Sequence, residues 1–128
     1  MSYKRIINSS ALVVGLLAGG AAQAHPRLMA TSPRINSAVG GTNCVVLTFN
    51  ERLLAPMSGG DLLMTGHPGV PHHAPTKIES FRASVGADGR TLQLVAAHPL
   101  ARGSYQVRWH AVAADTHQVA GTFAFQVR

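Results

Sequence analysis

Cysteine, acidic residues and aromatic residues are all scarce in this chain. One cysteine, Cys44, in 128 residues excludes any internal disulfide. No His or Met follows Cys44 at close spacing, so a thiolate metal site with two histidines and a weak axial ligand has no local support. In the β-type run Cys44-Val45-Val46-Leu47-Thr48-Phe49 a buried, inert thiol is the expectation. Only five Asp and Glu face eleven Lys and Arg. Such an excess could suit nucleic acid or an anionic membrane, but the charges are scattered singly and read as a solvated surface. Aromatics make up 5%, few for an extended stacking platform. No apolar run reaches the roughly 20 residues that span a bilayer. No segment repeats, and no helical pattern lasts beyond a turn or two.

The first 24 residues read as a secretory signal. Lys4 and Arg5 precede the apolar run Ala11 to Ala18, and small residues end at Ala22-Gln23-Ala24, so cleavage is expected after Ala24. Export also argues against a nucleic-acid partner. Residues 25–128 then form one domain, long enough to bury a core without staples. With Lys4 and Arg5 removed, nine basic residues stand against the five acids, a net charge near +4.

That domain reads as all-β. Gly103 to His110 alternates, with Tyr105, Val107 and Trp109 on one face and Gln106, Arg108 and His110 on the other. Phe123, Phe125 and Val127 alternate in the same way in a last strand, and Asp115-Thr116-His117-Gln118 lies between the two. Asp88-Gly89 marks a hairpin turn between strands over Lys77 to Ser84 and Arg90 to Ala96. Cys44 to Phe49, Asp61 to Met64 and Leu28 to Ser32 complete about seven short strands, the pattern of a single immunoglobulin-like β-sandwich or small Greek-key barrel. Gly66 to Pro75, with three Pro and three His, is a surface loop. Met29 is expected to pack in the core or at its rim, and His98 and His110 to lie at the surface.

Cleavage after Ala24 would leave His25 with a free α-amine beside its imidazole. The amine and Nδ1 of one residue can close a six-membered ring on a metal, and an ordinary α-amine pKa of about 7.7–8.0 lets a metal displace its proton near neutrality. Pro26 has no backbone N–H, so the usual continuation of copper(II) into deprotonated amides is blocked. The other equatorial donors must come from the fold. Asp115 and His117, two apart, would share a face of an extended segment and supply a carboxylate and an imidazole. Two imidazoles, an amine and a carboxylate suit copper(II). On that motif by itself, a turn-capping Asp115 and an ordinary surface His117 are the competing reading.

Taken in order, His25-Pro26-Arg27-Leu28, Ser32-Pro33, Leu47-Thr48-Phe49-Asn50-Glu51, Pro99-Leu100, Gly103 to Trp109 and Asp115-Thr116-His117 make the chain resemble the periplasmic copper-resistance proteins of the CopC type. The resemblance implies a seven-stranded Greek-key β-barrel, cupredoxin-like, with copper(II) on His25, Asp115 and His117. It implies a periplasmic, monomeric, non-enzymatic carrier or buffer and an inner-membrane copper-resistance transporter as partner. The family's Glu near the metal corresponds to Glu51, which either holds an imidazole or the amine by hydrogen bond or stands as a plain surface carboxylate. Better-known members add a copper(I) site in a Met-rich loop. Here that loop keeps only Met64 and adds His67, His72 and His73, while Met57 stands outside the pattern. This argues against a carrier of both oxidation states, and it leaves open a weaker histidine site for copper(II), zinc or transient copper(I), or a hydrated polar loop. A histidine-brace copper oxidoreductase and a structural β-sandwich with incidental histidines are the readings from other classes.

Overall fold

Segments whose apolar residues alternate become strands in the computed structural model, which describes residues 25–128. The signal expected over residues 1–24 lies outside the described residues. The strands are β1 (Leu28–Ser32), β2 (Ala38–Val39), β3 (Cys44–Phe49), β4 (Gly59–Gly66), β5 (Thr76–Lys77), β6 (Phe81–Val85), β7 (Thr91–Ala96), β8 (Gly103–Val112) and β9 (Gln118–Val127), with one 3₁₀ turn at Ala55–Met57. One sheet has the order β1-β3-β7-β6 and the other β2-β9-β8-β4-β5. All ladders are antiparallel except the two-residue β2–β9 pair. The seven strands of five residues or more match the expected number, arranged as a two-sheet sandwich and not as a closed barrel.

Period two decides what fills the sandwich. Val45, Leu47, Phe49, Leu92 and Leu94 from the first sheet meet Tyr105, Val107, Trp109, Phe123 and Phe125 from the second, all 8% exposed or less. Each such side chain is worth roughly 1.5–3 kcal/mol when removed from water. Phe49 meets Trp109 edge-on across the sheets at 5.2 Å between ring centres. Tyr105 stacks on Phe125 at 5.4 Å, and its hydroxyl donates to the Ala101 carbonyl at 2.6 Å. Burial pushes that phenol above its ordinary pKa.

Several expectations need correcting. Lys77 to Ser84 is not one strand: Thr76–Lys77 pairs with β4 in the second sheet, and β6 begins at Phe81 in the first. A chain that crosses between sheets must leave one ladder before joining the other, and the Ile78 amide marks the crossing by donating to Leu62 O at 2.8 Å. Met29 is 57% exposed, because β1 pairs Leu28 with Phe49 and Ala30 with Thr48 and bulges at the residue between. Cys44 is only partly buried, since Val45, Leu47 and Phe49 hold the inward positions. His98 is exposed as expected, whereas His110 is half-buried with its ring over Gly59.

Strand directions bring four segments to one end of the sandwich. Residues 25–27 lead into β1 opposite the end of β3, and 113–117 join β8 to β9. The stretch 50–58 ties to both neighbours: Leu53 N–H donates to Gly89 O at 2.7 Å and Leu54 N–H to Val112 O at 2.8 Å. In the 86–90 turn, Asp88 accepts the Thr91 hydroxyl at 2.6 Å and the amides of Arg90 and Thr91 at 2.9 and 3.1 Å. The Thr91 hydroxyl and then the Arg90 amide lower its carboxyl pKa.

Two stability tests follow from this packing. A Cβ at Gly121 would lie 2.6 Å from a ring carbon of Trp109, so Gly121→Ala is expected to lower unfolding stability in urea by about 1–3 kcal/mol, the usual cost of overpacking. A lowered folded pKa makes the Asp88 carboxylate stabilising above its unfolded value of about 3.9 and neutral in effect once pH falls through the folded value. Asp88→Asn should therefore trail the parent most near neutrality, with the gap closing in acid, as read by denaturation across pH.

Candidate metal centre

His25 reaches the site from the lead-in to the first sheet, while Asp115 and His117 come from the hairpin of the second. Pro26 is buried, which seats the peptide next to His25. The segment is then clamped by Asn50. The Arg27 amide donates to Asn50 Oδ1 at 2.6 Å, the Asn50 amide donates to Arg27 O at 3.1 Å, and Arg90 Nη1 donates to Asn50 O at 3.0 Å. These bonds extend the β1–β3 ladder past its last strand pair, toward His25.

The other half is a tight turn. Thr116 N–H donates to Ala113 O at 2.9 Å, and Thr116 takes φ 62°. A β-branched residue is an outlier in that left-handed region, at a cost of about 1–3 kcal/mol, and such strain clusters at functional sites. Its hydroxyl turns back to the Asp115 carbonyl at 2.7 Å. Asp115 Oδ1 accepts the His117 amide at 3.2 Å, an Asx turn. The expectation of an extended Asp-x-His segment is thereby corrected: a turn, not strand alternation, brings the two side chains to one side. Turn capping occupies Oδ1 of Asp115 and leaves Oδ2 directed toward the histidines.

Its second oxygen faces both histidines. Asp115 Oδ2 lies 2.8 Å from His25 Nδ1 and 3.7 Å from His117 Nδ1. The two rings sit 5.6 Å apart and 23° from parallel. Candidate ligand atoms of His25, Asp115 and His117 all lie within 4.8 Å of one another, and among the described residues they form the one such group of three or more His, Cys, Asp or Glu. Asp115 is 17% exposed in its side chain, against 48% for His25 and 74% for His117. Oδ2 itself is shut off from solvent and receives no hydrogen bond; its 2.8 Å approach to Nδ1 is an ion-pair distance without hydrogen-bond alignment. A buried carboxylate oxygen costs free energy unless a cation compensates it, and here two imidazoles flank the same atom. Two ring nitrogens and a carboxylate oxygen fit a borderline divalent metal.

The remaining residues singled out from sequence fall elsewhere. Glu51 makes no hydrogen bond or ion pair with described residues and is not in the group; its neighbour Asn50 holds the amino-terminal segment. The signal for Asn50 was its place at the exit of a strong strand, where Asn favours side-chain bonds to backbone, but nothing in the sequence named Arg27 as partner. Met64 packs against the core, and His67, His72 and His73 stand on the 66–75 loop at the opposite end of the second sheet.

Comparison with known proteins places the fold and the sequence in a family. The CopC domain model matches residues 28–128, a span that begins just after His25. The chain is 37% identical over 125 residues to copper resistance protein C of Escherichia coli, covering 96% of this chain and 98% of that one. Over 127 residues it is 35% identical to copper resistance protein C of Xanthomonas campestris pv. juglandis, covering 99% and 98%. Its fold superposes on the crystal structure of PcoC, a methionine-rich copper resistance protein from Escherichia coli, with a TM-score of 0.75 at 35% identity, covering 82% of this chain and all of that one.

If Asn50 clamps the segment, Asn50→Ala should speed hydrogen exchange at the Arg27 amide by roughly tenfold, the worth of about one hydrogen bond, while core amides of β3 and β8 keep their protection.

Proposed function

This chain belongs to the CopC domain family, and on that premise we propose that it binds copper(II) as cargo in the periplasm, as a carrier or buffer in copper resistance. The observation that carries this reading is the solvent-free Asp115 Oδ2 set against the Nδ1 atoms of both His25 and His117. Signal cleavage after Ala24 adds the α-amine of residue 25, which shares a residue with one of those imidazoles. His25 then supplies two donors, and His117 and Asp115 supply the rest of a tetragonal N,O set.

Each residue has a distinct task in capture and release. His25 chelates, with Pro26 offering no amide proton for the metal to displace. Asp115 offsets the charge of the cargo and holds the hairpin turn. His117, the most exposed of the three, is the natural ligand to leave first toward a partner. Every donor must shed its proton to bind, so falling pH opposes capture and favours release. Reduction has the same sense, because an N,O set without thioethers disfavours copper(I). An inner-membrane transporter of the copper-resistance type is the recipient that family membership supports. The carrier reading is favoured over a glycan-cleaving copper enzyme because Phe49, Tyr105, Trp109, Phe123 and Phe125 are all committed to the core, and Phe81, half-buried on β6 against that core, is a single ring and not an extended stacking face for sugars.

The test is copper(II) titration of residues 25–128, which contain both sheets and the whole core, followed by paramagnetic resonance and Trp109 fluorescence. A second preparation keeps Ala24, so the free amine no longer belongs to a histidine. It is expected to bind copper(II) on the order of 100-fold more weakly or worse, beyond the 10–100-fold that losing a supporting hydrogen bond usually costs. Equal affinity in the two preparations would refute the amine–imidazole chelate.

A further inference from the structure

Gly66 to Pro75 is not a loose loop. Pro68 and Gly69, the latter at φ 88°, follow the Pro-Gly pattern of a type II turn. His67 and Val70 exchange both backbone hydrogen bonds across it at 2.9 Å each, and the His73 amide donates to Thr65 O at 2.9 Å. Gly66 packs so closely on the Pro71 carbonyl that a Cβ would lie 2.0 Å from its oxygen. The backbone that carries the histidines is therefore ordered by folding itself, and a ligand binding there need not supply that entropy.

Two imidazoles meet on this small hairpin. The rings of His67 and His73 lie 5.4 Å apart and 46° from parallel. His67 Nδ1 is 3.0 Å from Pro68 O, and His73 Nδ1 is 2.7 Å from Ala74 O. A carbonyl oxygen only accepts, so in the neutral ring each Nδ1 carries the proton and each Nε2 keeps its lone pair. A ring N–H held by a backbone carbonyl is the usual support of a metal-ligating histidine. With metal–nitrogen distances of about 2.0–2.1 Å, each ring centre lies roughly 3 Å from a bound ion, so two rings sharing one ion stand roughly 5–6 Å apart. The observed spacing is of that size.

We propose that His67 and His73 form a second metal site, a two-imidazole site for zinc(II) or copper(II) whose other positions are filled by water. Imidazole pairs suit both ions. His72 lies with Thr65 and Ser104 in a separate concavity, and Met64 packs inward against the core, so neither belongs to the pair. The site does not depend on the amino-terminal chelate. A Cβ on Gly103, where β8 begins, would lie 3.3 Å from His67 Cα. From there β8 runs ten residues to Val112 beside the first centre, a span of roughly 30 Å at about 3.3 Å per residue.

Zinc(II) titration of residues 25–128, followed by NMR of the histidine ring nitrogens, tests this directly. The first centre is read separately at His25 and His117, so failure there and failure here are distinguishable. The expected result is that His67 and His73 shift with one common midpoint while His72 and His98 do not. In His67→Ala, zinc should bind at His73 about tenfold more weakly or worse, because the neighbouring donor no longer acts at high effective concentration, whereas His72→Ala should leave the midpoint unchanged. Silence of either ring at millimolar zinc, or an unaltered His73 response in His67→Ala, overturns the site.

Discussion

Asp115 holds the centre together because its two oxygens face different problems. Oδ1 closes the turn by accepting the His117 amide, and Oδ2 sits out of solvent between two imidazoles. Taking a carboxylate oxygen from water without a hydrogen bond is costly by several kcal/mol unless positive charge stands against it. The fold stabilises the strained Thr116 and this oxygen together, within one short hairpin connection. This oxygen, out of solvent beside two imidazoles, is the feature on which the proposed cation site rests.

The sandwich is what makes that complementarity possible. His25 belongs to the approach to the first sheet, and the hairpin to the second, so neither sheet by itself holds the group. The Phe49–Trp109 contact locks the sheets face to face, the ladder from Arg27 through Asn50 to Arg90 seats one half, and the Leu54–Val112 bond ties the intervening stretch to the other. A carrier needs ligands that are held in register yet remain partly open to a recipient. The graded exposure from Asp115 through His25 to His117 has that form.

The two ends of the second sheet carry different chemistry. One end combines carboxylate and imidazole; the other carries imidazoles on an ordered hairpin where only Met64 remains as a thioether, and it faces inward. PcoC is described as methionine-rich, whereas this chain has four methionines, one of them Met1. Among the described ones, Met29 and Met57 are exposed on other segments. Exchange of thioether for imidazole shifts preference from the soft monovalent ion toward borderline divalent ones.

Strand alternation made much of the architecture legible in advance. Leu28–Ser32 and Cys44–Phe49 appear with the ends expected of them, and the inward faces of β8 and β9 follow from period two, because side-chain direction in a strand is a local property. The two-residue strands β2 and β5 carried no such signal, and the bulge that exposes Met29 is a matter of register between two distant segments. For the site, the residue types His25, Asp115 and His117 could be read from the chain, since donor chemistry belongs to the side chain. Their meeting was expected from the resemblance to a family and not from any local pattern. It took the packing of two sheets, the Asn50 clamp and a left-handed Thr116 to bring residues ninety positions apart within reach, because contacts between distant segments depend on the whole core and not on any local run.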